Sequence, residues 1–317
     1  MKRFYTIWSL VLLFLFPFSI SRISGQPIIL TPKWTAQAQF AGYYIAEKMG
    51  FYKEEGLDVH VHHPSLSESS FSFLKSGRSQ VVVMNLSYAL MERASGTPVV
   101  NIMQTSQENS LMLIGHSPLK DLSSLQGKKI AVWNHLSQEL LDQIAQHYNL
   151  QIEWIRFNSG INIYLSGAAD ICLVGSYNEF PQLAECGMDI DSTHILRFAD
   201  YGYNLPEDGL YVTEEFYRQN PETVHKLVKA SIRGWQWANE HQEEALDIIM
   251  EEVHRHNIGT NRYHQRKMLE EVLRLQVDKL KGKRTYQLSR EGFNCAIKNL
   301  FPENAQNNNI RYEDFVK

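Results

Sequence analysis

The segment KWTAQAQFAGYY, Lys33 to Tyr44, concentrates groups suited to holding a small flat molecule. Indole and phenol rings offer π faces for stacking, and the Gln37 and Gln39 amides offer donors and acceptors for a polar edge. Trp34 follows a short strand-like run, Ile28–Thr31, which places it at a strand's C-terminal end. That is where open α/β sheets take ligands, and ordinary packing is the competing role for the ring. Gln37, Gln39 and Phe40 open the next helix, where free N–H groups face outward. Tyr43 and Tyr44 point about 100° apart on a helix, so one is expected toward a cleft and one toward the core, with Tyr44 the candidate contact. Phe51 and Tyr52 follow closely, giving more rings than one helix face buries. The surplus is expected to form a ligand-facing wall.

Other candidates sit at similar positions. Asn85 ends a strand and opens a helix; capping alone accounts for it, and its place at the strand end makes it a contact candidate. Trp133 and Asn134 hold the equivalent place later in the chain. Asp208, in LPEDGLY, is either a turn residue or a carboxylate that receives an amino group. His60 and His62 share one face of a strand in VHVHHP, but no third ligand is near in sequence, so His60, His62 and His63 read as a solvated strand end. His254–His256 reads as exposed helix. The sequence has no glycine-rich phosphate loop, no GxSxG and no HExxH, and nothing marks a nucleophile–base pair.

These residues are carried by alternating strands and helices. Strands are expected at Ile28–Thr31, Leu57–Val61, Gln80–Met84 and Val99–Met103. Helices are expected at Phe40–Met49, Leu66–Lys75 and Leu86–Ala94, closed by Gly50, Gly77 and Gly96. A second run begins near Leu119. It has strands at Lys129–Trp133, Ile152–Ile155 and Asp170–Val174, and helices at Leu136–His147, Asn162–Leu165 and Glu179–Glu185. Alternation of this kind implies parallel strands with right-handed crossovers. Two stretches echo each other, LKSGRSQV (Leu74–Val81) and YLSGAADI (Tyr164–Ile171): in each a helix ends on Ser-Gly and a buried strand opens after two more residues. The last third is helical. It starts at Asn220-Pro221-Glu222, with the asparagine as cap and proline at the first helical position, and continues at Ala245–Val253 and Met268–Val277.

The expected organisation is a signal peptide over 1–25, lobe 1 over 26–117, an inserted lobe 2 over 118–206, a helical return to lobe 1 over 207–301, and a loose tail over 302–317. Lys2 and Arg3 precede an uncharged run to Ile20, short for a bilayer span, and small residues follow. This predicts secretion with cleavage after Gly25; an uncleaved anchor is the alternative. The whole chain of 317 residues carries a net charge of −4, and loss of residues 1–25 removes three cations and no acid, leaving −7. Such a balance argues against nucleic acid and anionic membrane surfaces as partners. Cys172, Cys186 and Cys295 show no zinc spacing. Three buried thiols are expected, with a Cys172–Cys186 bridge open as an alternative.

Several motifs, in order, resemble one family. LTPKWTAQAQFAGYYIAEKMGFYKEEGLDV resembles the opening of periplasmic binding proteins of the thiamine-pyrimidine-precursor and alkanesulfonate group, a group related to the eukaryotic thiamine pyrimidine synthases. VVVMNLSYALMERASGTPVVNI, DLSSLQGKKIAVW and ADYGYNLPEDGLYVTEEFYRQNPETVHKLVKASIRGWQWANEHQEEAL resemble its later segments. The resemblance implies a two-lobed type II periplasmic binding protein fold. Each lobe is then a mainly parallel sheet flanked by helices, with the ligand cleft between lobes. It implies a secreted or periplasmic monomer without cofactor or metal. Hinge closure traps a small flat heterocycle, foremost a thiamine-precursor pyrimidine, for an ABC permease. SYNEF then resembles an Asn-Glu pair at the lobe-2 cleft edge, making Tyr177, Asn178 and Glu179 contacts for an aminopyrimidine's donor–acceptor edge. Two alternatives stand beside transport. One is a sensing module for a membrane kinase or cyclase. The other is a synthase, against which Met84 and Tyr88 stand where that branch has its pyridoxal-phosphate lysine and its histidine, since a Schiff base needs an amine.

Overall fold

The structure, a computed structural model, describes residues 26–65, 67–133, 138–158, 160–302 and 310–317. The expected signal peptide, Leu66 and Asn134 lie outside the described residues. The first lobe is built from β1 (Ile28–Thr31), α1 (Ala41–Lys48), α2 (Phe51–Glu54), β2 (Val59–Val61), α3 (Ser70–Lys75), β3 (Val81–Asn85), α4 (Leu86–Ala94) and β4 (Val99–Gln104). The second holds β5 (Leu111–Gly115), β6 (Lys129–Trp133), α5 (Gln138–His147), β7 (Glu153–Phe157), α6 (Asn162–Leu165), β8 (Ile171–Gly175), α7 (Glu179–Glu185) and β9 (Ile195–Arg197). The chain returns through β10 (Asp208–Thr213) into α8 (Glu214–Gln219), α9 (Pro221–Glu240), α10 (Gln242–Arg255), α11 (Arg262–Leu275), α12 (Arg290–Leu300) and α13 (Tyr312–Phe315).

Each lobe holds a five-stranded sheet, in the orders β2-β1-β3-β10-β4 and β7-β6-β8-β5-β9. Read side by side, the two orders match strand for strand. In each, four strands run one way and one runs against them: β10 is antiparallel to β3 and β4, and β5 to β8 and β9. The opposed strand is in both cases the first one after the chain crosses from the other lobe. The sequence echo is structural. Gly77 and Gly167 take φ of +74° and +72° after their helices and lead into β3 and β8, the equivalent central strands. Residues Val81–Met84 and Ile171–Gly175 are buried throughout, as expected of strands covered on both faces.

Several expectations are corrected. Leu111–Gly115 is a strand of the second lobe, so the first crossing lies within 105–110, before the expected boundary at 117. Its antiparallel insertion leaves no helix ahead of it to announce it. The second crossing lies within 202–207, between the last element of the second lobe and β10. Asn220 does not cap α9: its side chain donates back to the Phe216 carbonyl, although Pro221 does open the helix. The tail is docked at its end. Phe315 is fully buried against Tyr211 and Phe293, and the Lys317 N–H donates to the Asn101 carbonyl. All three cysteines are free, and only Cys172 is buried.

The expected surplus of rings is absent as well. Phe40, Tyr43, Tyr44, Phe51 and Tyr52 are all buried, because α1 is covered by α9 and α10 as well as by the sheet. Helices α1 and α9 meet at glycines. A Cβ at Gly42 would strike the Trp235 ring, and one at Gly234 would fall on the Gly42 carbonyl oxygen. That contact is backbone on one side, so it cannot yield by a rotamer change. Helix propensity alone would make Gly234→Ala stabilising by about 1 kcal/mol. Overpacking reverses the sign: the variant should lose about 1–3 kcal/mol in urea unfolding. A variant at least as stable as the wild type would show that the two helices are free to separate.

Candidate functional site

A cavity of ≈ 570 Å³ opens between the lobes, well within the range of small-ligand sites. Its first-lobe wall comes from the loop after β1 (Lys33, Trp34, Gln37, Gln39), the junction of β3 with α4 (Met84, Asn85, Tyr88) and the approach to α3. Its second-lobe wall comes from Trp133 at the end of β6, Arg156 on β7, and Tyr177, Asn178 and Glu179 after β8. The crossings supply Asn109 and Glu207. The sheets thus present the C-terminal ends of β1, β3, β6 and β8 to one space, the place where open α/β sheets take ligands.

The crossings are tied to each other. The Thr105 and Ser106 N–H groups both donate to the Asp208 carbonyl, and Gln104 Nε2 reaches the carbonyls of Glu207 and Asp208. Further along, Asn109 N–H donates to Asn204 Oδ1 at 2.8 Å, and the Ser110 N–H and hydroxyl hold the Glu207 carboxylate at 2.9–3.0 Å. Glu207 therefore meets the cavity from the second crossing.

Behind the first-lobe wall, Lys33 Nζ lies 2.5 Å from Asp208 Oδ1 and donates to Asn85 Oδ1. Asp208 and Asn85 stand opposite each other on neighbouring strands, so a single ammonium ties both. Gln39 Nε2 donates to Asp208 Oδ2 at 2.6 Å, and Gln37 Nε2 to Gln39 Oε1 at 2.6 Å. A second brace runs through His63. Its Nδ1–H donates to the Trp34 carbonyl at 2.6 Å and its Nε2 accepts from the Tyr44 hydroxyl at 2.9 Å, while the Gln37 N–H donates to the same hydroxyl. Burial pushes His63 down to about 4, so the ring is neutral at physiological pH, as this donor–acceptor pattern requires.

On the facing wall, Glu179 Oε2 accepts from the Gly175 N–H at 3.0 Å and Oε1 accepts from Asn178 Nδ2 at 2.8 Å. Burial pushes the Glu179 carboxyl up to about 7; these bonds oppose the rise and the Glu207 charge adds to it. Burial also raises Glu207, against the pull of Lys33. The cavity can therefore meet a ligand with an amide, a carboxyl that burial raises to about 7 and a second buried carboxyl, together with the Trp34 and Trp133 indoles in its lining.

Of the residues singled out in the sequence, Trp34, Gln37, Asn85, Trp133, Tyr177, Asn178 and Glu179 share this cavity wall. Phe40, Tyr44 and Asp208 do not. Phe40 is core, Tyr44 stands behind Trp34 and Gln37, and Asp208 stands behind Lys33 and Gln39. Sequence reading missed Lys33, Glu207 and Arg156. Lys33 has the same strand-end position that pointed to Trp34, and Glu207 adjoins Asp208; Arg156 carries no comparable signal. His63, read as solvated, is the brace just described. His60 is exposed and lies beside Glu47 and Asp58. Among the described residues no group of three His, Cys, Asp or Glu is placed to hold a metal ion, and no helix is long and apolar enough to cross a membrane.

A cavity enclosed by two such lobes defines the class of periplasmic binding proteins, and solved structures agree on the fold. The aliphatic sulphonate-binding protein SsuA from Escherichia coli superposes with a TM-score of 0.64 at 12% identity, over 89% of this chain and 94% of that one. A Candida albicans gene product described as having the generic periplasmic binding protein fold gives 0.65 at 13%, over 92% and 96%. The chain belongs to the family described as NMT1/THI5 like, which matches residues 37–245. Relatives include the riboflavin-binding protein RibY of Chloroflexus aurantiacus, 25% identical over 78% of this chain and 72% of that one. They also include a formylaminopyrimidine-binding protein of Halalkalibacterium halodurans, 24% identical over 68% of each. A Candida albicans protein named 4-amino-5-hydroxymethyl-2-methylpyrimidine phosphate synthase is 26% identical over 70% of each, so the family contains enzymes as well as binding proteins.

The raised Glu179 carboxyl has a consequence for stability. Its protonated form is favoured in the fold, so its contribution is full below about 4.5 and is lost as pH rises through about 7. Glu179→Gln cannot ionise. It should match the wild type near pH 4 and exceed it at pH 8 by on the order of 2 kcal/mol, measured by urea unfolding of the ligand-free protein. Equal stability at pH 8 would mean that the carboxylate is housed without cost.

Proposed function

We propose that this chain is the extracytoplasmic solute-binding component of an ABC transporter. It acts as a monomer whose lobes close by a hinge around a small flat heterocycle. The observation that carries this reading is that Trp34 from the first lobe and Asn178 and Glu179 from the second line one inter-lobe cavity. The ring stacks on the ligand face, and the amide and carboxyl read a row of N–H and ring-nitrogen groups. A thiamine-precursor pyrimidine is the leading ligand class. The names of two relatives, one for riboflavin and one for formylaminopyrimidine, support a flat nitrogen heterocycle in general. Closure adds second-lobe contacts, so the ligand shifts the hinge equilibrium by the difference in its affinity for the two states, and the closed lobe pair is what the permease reads.

The synthase reading is disfavoured by Met84, which lines the cavity where that branch is expected to present its amine. The one amine beside it, on Lys33, is engaged by Asp208 and Asn85.

The test is a thermal-shift screen of the chain from Gln26 onward against formylaminopyrimidine, 4-amino-5-hydroxymethyl-2-methylpyrimidine, riboflavin and alkanesulfonates. A ligand present well above its dissociation constant raises the apparent melting temperature. A shift with a heterocycle is expected; a shift with sulfonates alone would overturn the ligand class. For the heterocycle that binds, Trp34→Ala should weaken affinity by about 1–3 kcal/mol, the range for a ring stacked on an aromatic side chain, with the fold retained. Unchanged affinity would remove stacking on Trp34 from the account.

A further inference from the structure

Helix α11 belongs to the first lobe, yet its first turn reaches the second. The His264 ring is almost fully buried, with its side chain 5% exposed. Nε2–H donates to Asn178 Oδ1 at 3.0 Å, and Nδ1 lies 2.9 Å from Glu185 Oε1, at the far end of α7. Two turns further along the same face, Glu271 Oε1 accepts from the Ser176 hydroxyl at 2.5 Å. Glu271 is itself paired with Arg274 at 2.7 Å, and Arg274 reaches Glu108 at the first crossing. One polar face of α11 thus meets the loop that carries the Tyr177–Glu179 wall.

Asn178 is the link. An amide presents an acceptor on one side and donors on the other, and a 180° flip exchanges them. Here the nitrogen faces the Glu179 carboxyl at 2.8 Å, and the oxygen receives Gln182 Nε2 at 3.0 Å and the His264 ring. Flipping the amide would set oxygen against the Glu179 carboxyl and nitrogen against two donors. We infer that His264 is a positioning residue. From the first lobe it fixes the Asn178 amide, and through it the Glu179 carboxyl, in the orientation that meets a ligand, so the recognition edge is complete only when the lobes are together. This rests on the inter-lobe cavity being the ligand site. The charged groups around the chain of contacts are Glu185 on α7, Glu207 on the crossing, and Lys33 acting on Glu207 from the first lobe.

Two measurements test it, and the first needs no ligand. The Glu179 side-chain carboxyl is titrated by carbon NMR in the wild type, His264→Ala and His264→Gln. Losing His264 frees the Asn178 amide and weakens its bond to the Glu179 carboxylate. The midpoint should therefore rise by roughly half to one unit in His264→Ala. It should stay near the wild-type value in His264→Gln, whose amide N–H still donates to Asn178. A residue that only packs would leave the midpoint in place in both variants, and that result overturns the inference. The second measurement is stopped-flow binding of 4-amino-5-hydroxymethyl-2-methylpyrimidine or riboflavin, whichever the wild type binds. His264→Ala should raise the dissociation rate about tenfold with little change in association, and an unchanged dissociation rate overturns the inference. If the wild type binds neither probe, the functional reading fails for those ligands, while the NMR titration still decides the role of His264.

Discussion

The buried carboxylate of Asp208 is the constraint on which the candidate site depends. It stands at the first residue of the returning strand, where the chain leaves the second lobe. One oxygen is paired with Lys33 and the other accepts from Gln39, while its backbone carbonyl takes the N–H groups of Thr105 and Ser106 from the other crossing. Four segments far apart in sequence are thereby fixed at one point: the loop after the first strand, the end of the third, and both crossings. A buried carboxylate stripped of its partner typically costs about 3–5 kcal/mol, so the loop bearing Trp34, Gln37 and Gln39 is held in place by a demand for charge neutralisation.

The second lobe repeats the architecture of the first and varies the chemistry. Both lobes end a strand beside an indole, Trp34 and Trp133; the first adds a neutralised Lys–Asp pair, and the second an amide and a carboxyl that burial raises. The same strand-end geometry thus carries different polar groups to the cavity from each side. Glu207, held by Ser110 on the crossing, adds a second raised carboxyl where the two meet. A heterocycle carrying amino or ring N–H groups suits such a floor better than an anion does, because each buried carboxyl needs either a proton or a donor.

Much of this was legible in the sequence because it rests on local signals. Glycines closed the helices, apolar runs marked the central strands, and the Ser-Gly echo located the pair of equivalent strands. The strand-end argument picked out Trp34, Asn85 and Trp133, the family resemblance added the Tyr177–Glu179 stretch, and all of them line one cavity. What was not legible depends on contacts made across the chain. The strand at Leu111–Gly115 joins its sheet by an antiparallel insertion that no flanking helix announces. The rings of α1 read as surplus because the covering helices α9 and α10 come some 180 residues later, with Gly42 and Gly234 giving α1 and α9 their close approach. Tyr44 and Asp208 have the chemistry of contacts but are used one layer back. His63 reads as a solvated histidine because its partners, the Trp34 carbonyl and the Tyr44 hydroxyl, lie far from it in sequence.

The central claim is that a flat heterocycle is held between the lobes by a first-lobe ring and a second-lobe polar edge. The most direct test is a crystal structure of the chain with the heterocycle that raises its melting temperature. The account predicts the ligand ring parallel to the Trp34 indole, with a nitrogen-bearing edge within hydrogen-bond distance of Asn178 or Glu179. A ligand seated outside the inter-lobe cavity, or inside it with neither the stacking nor the edge contacts, would contradict it.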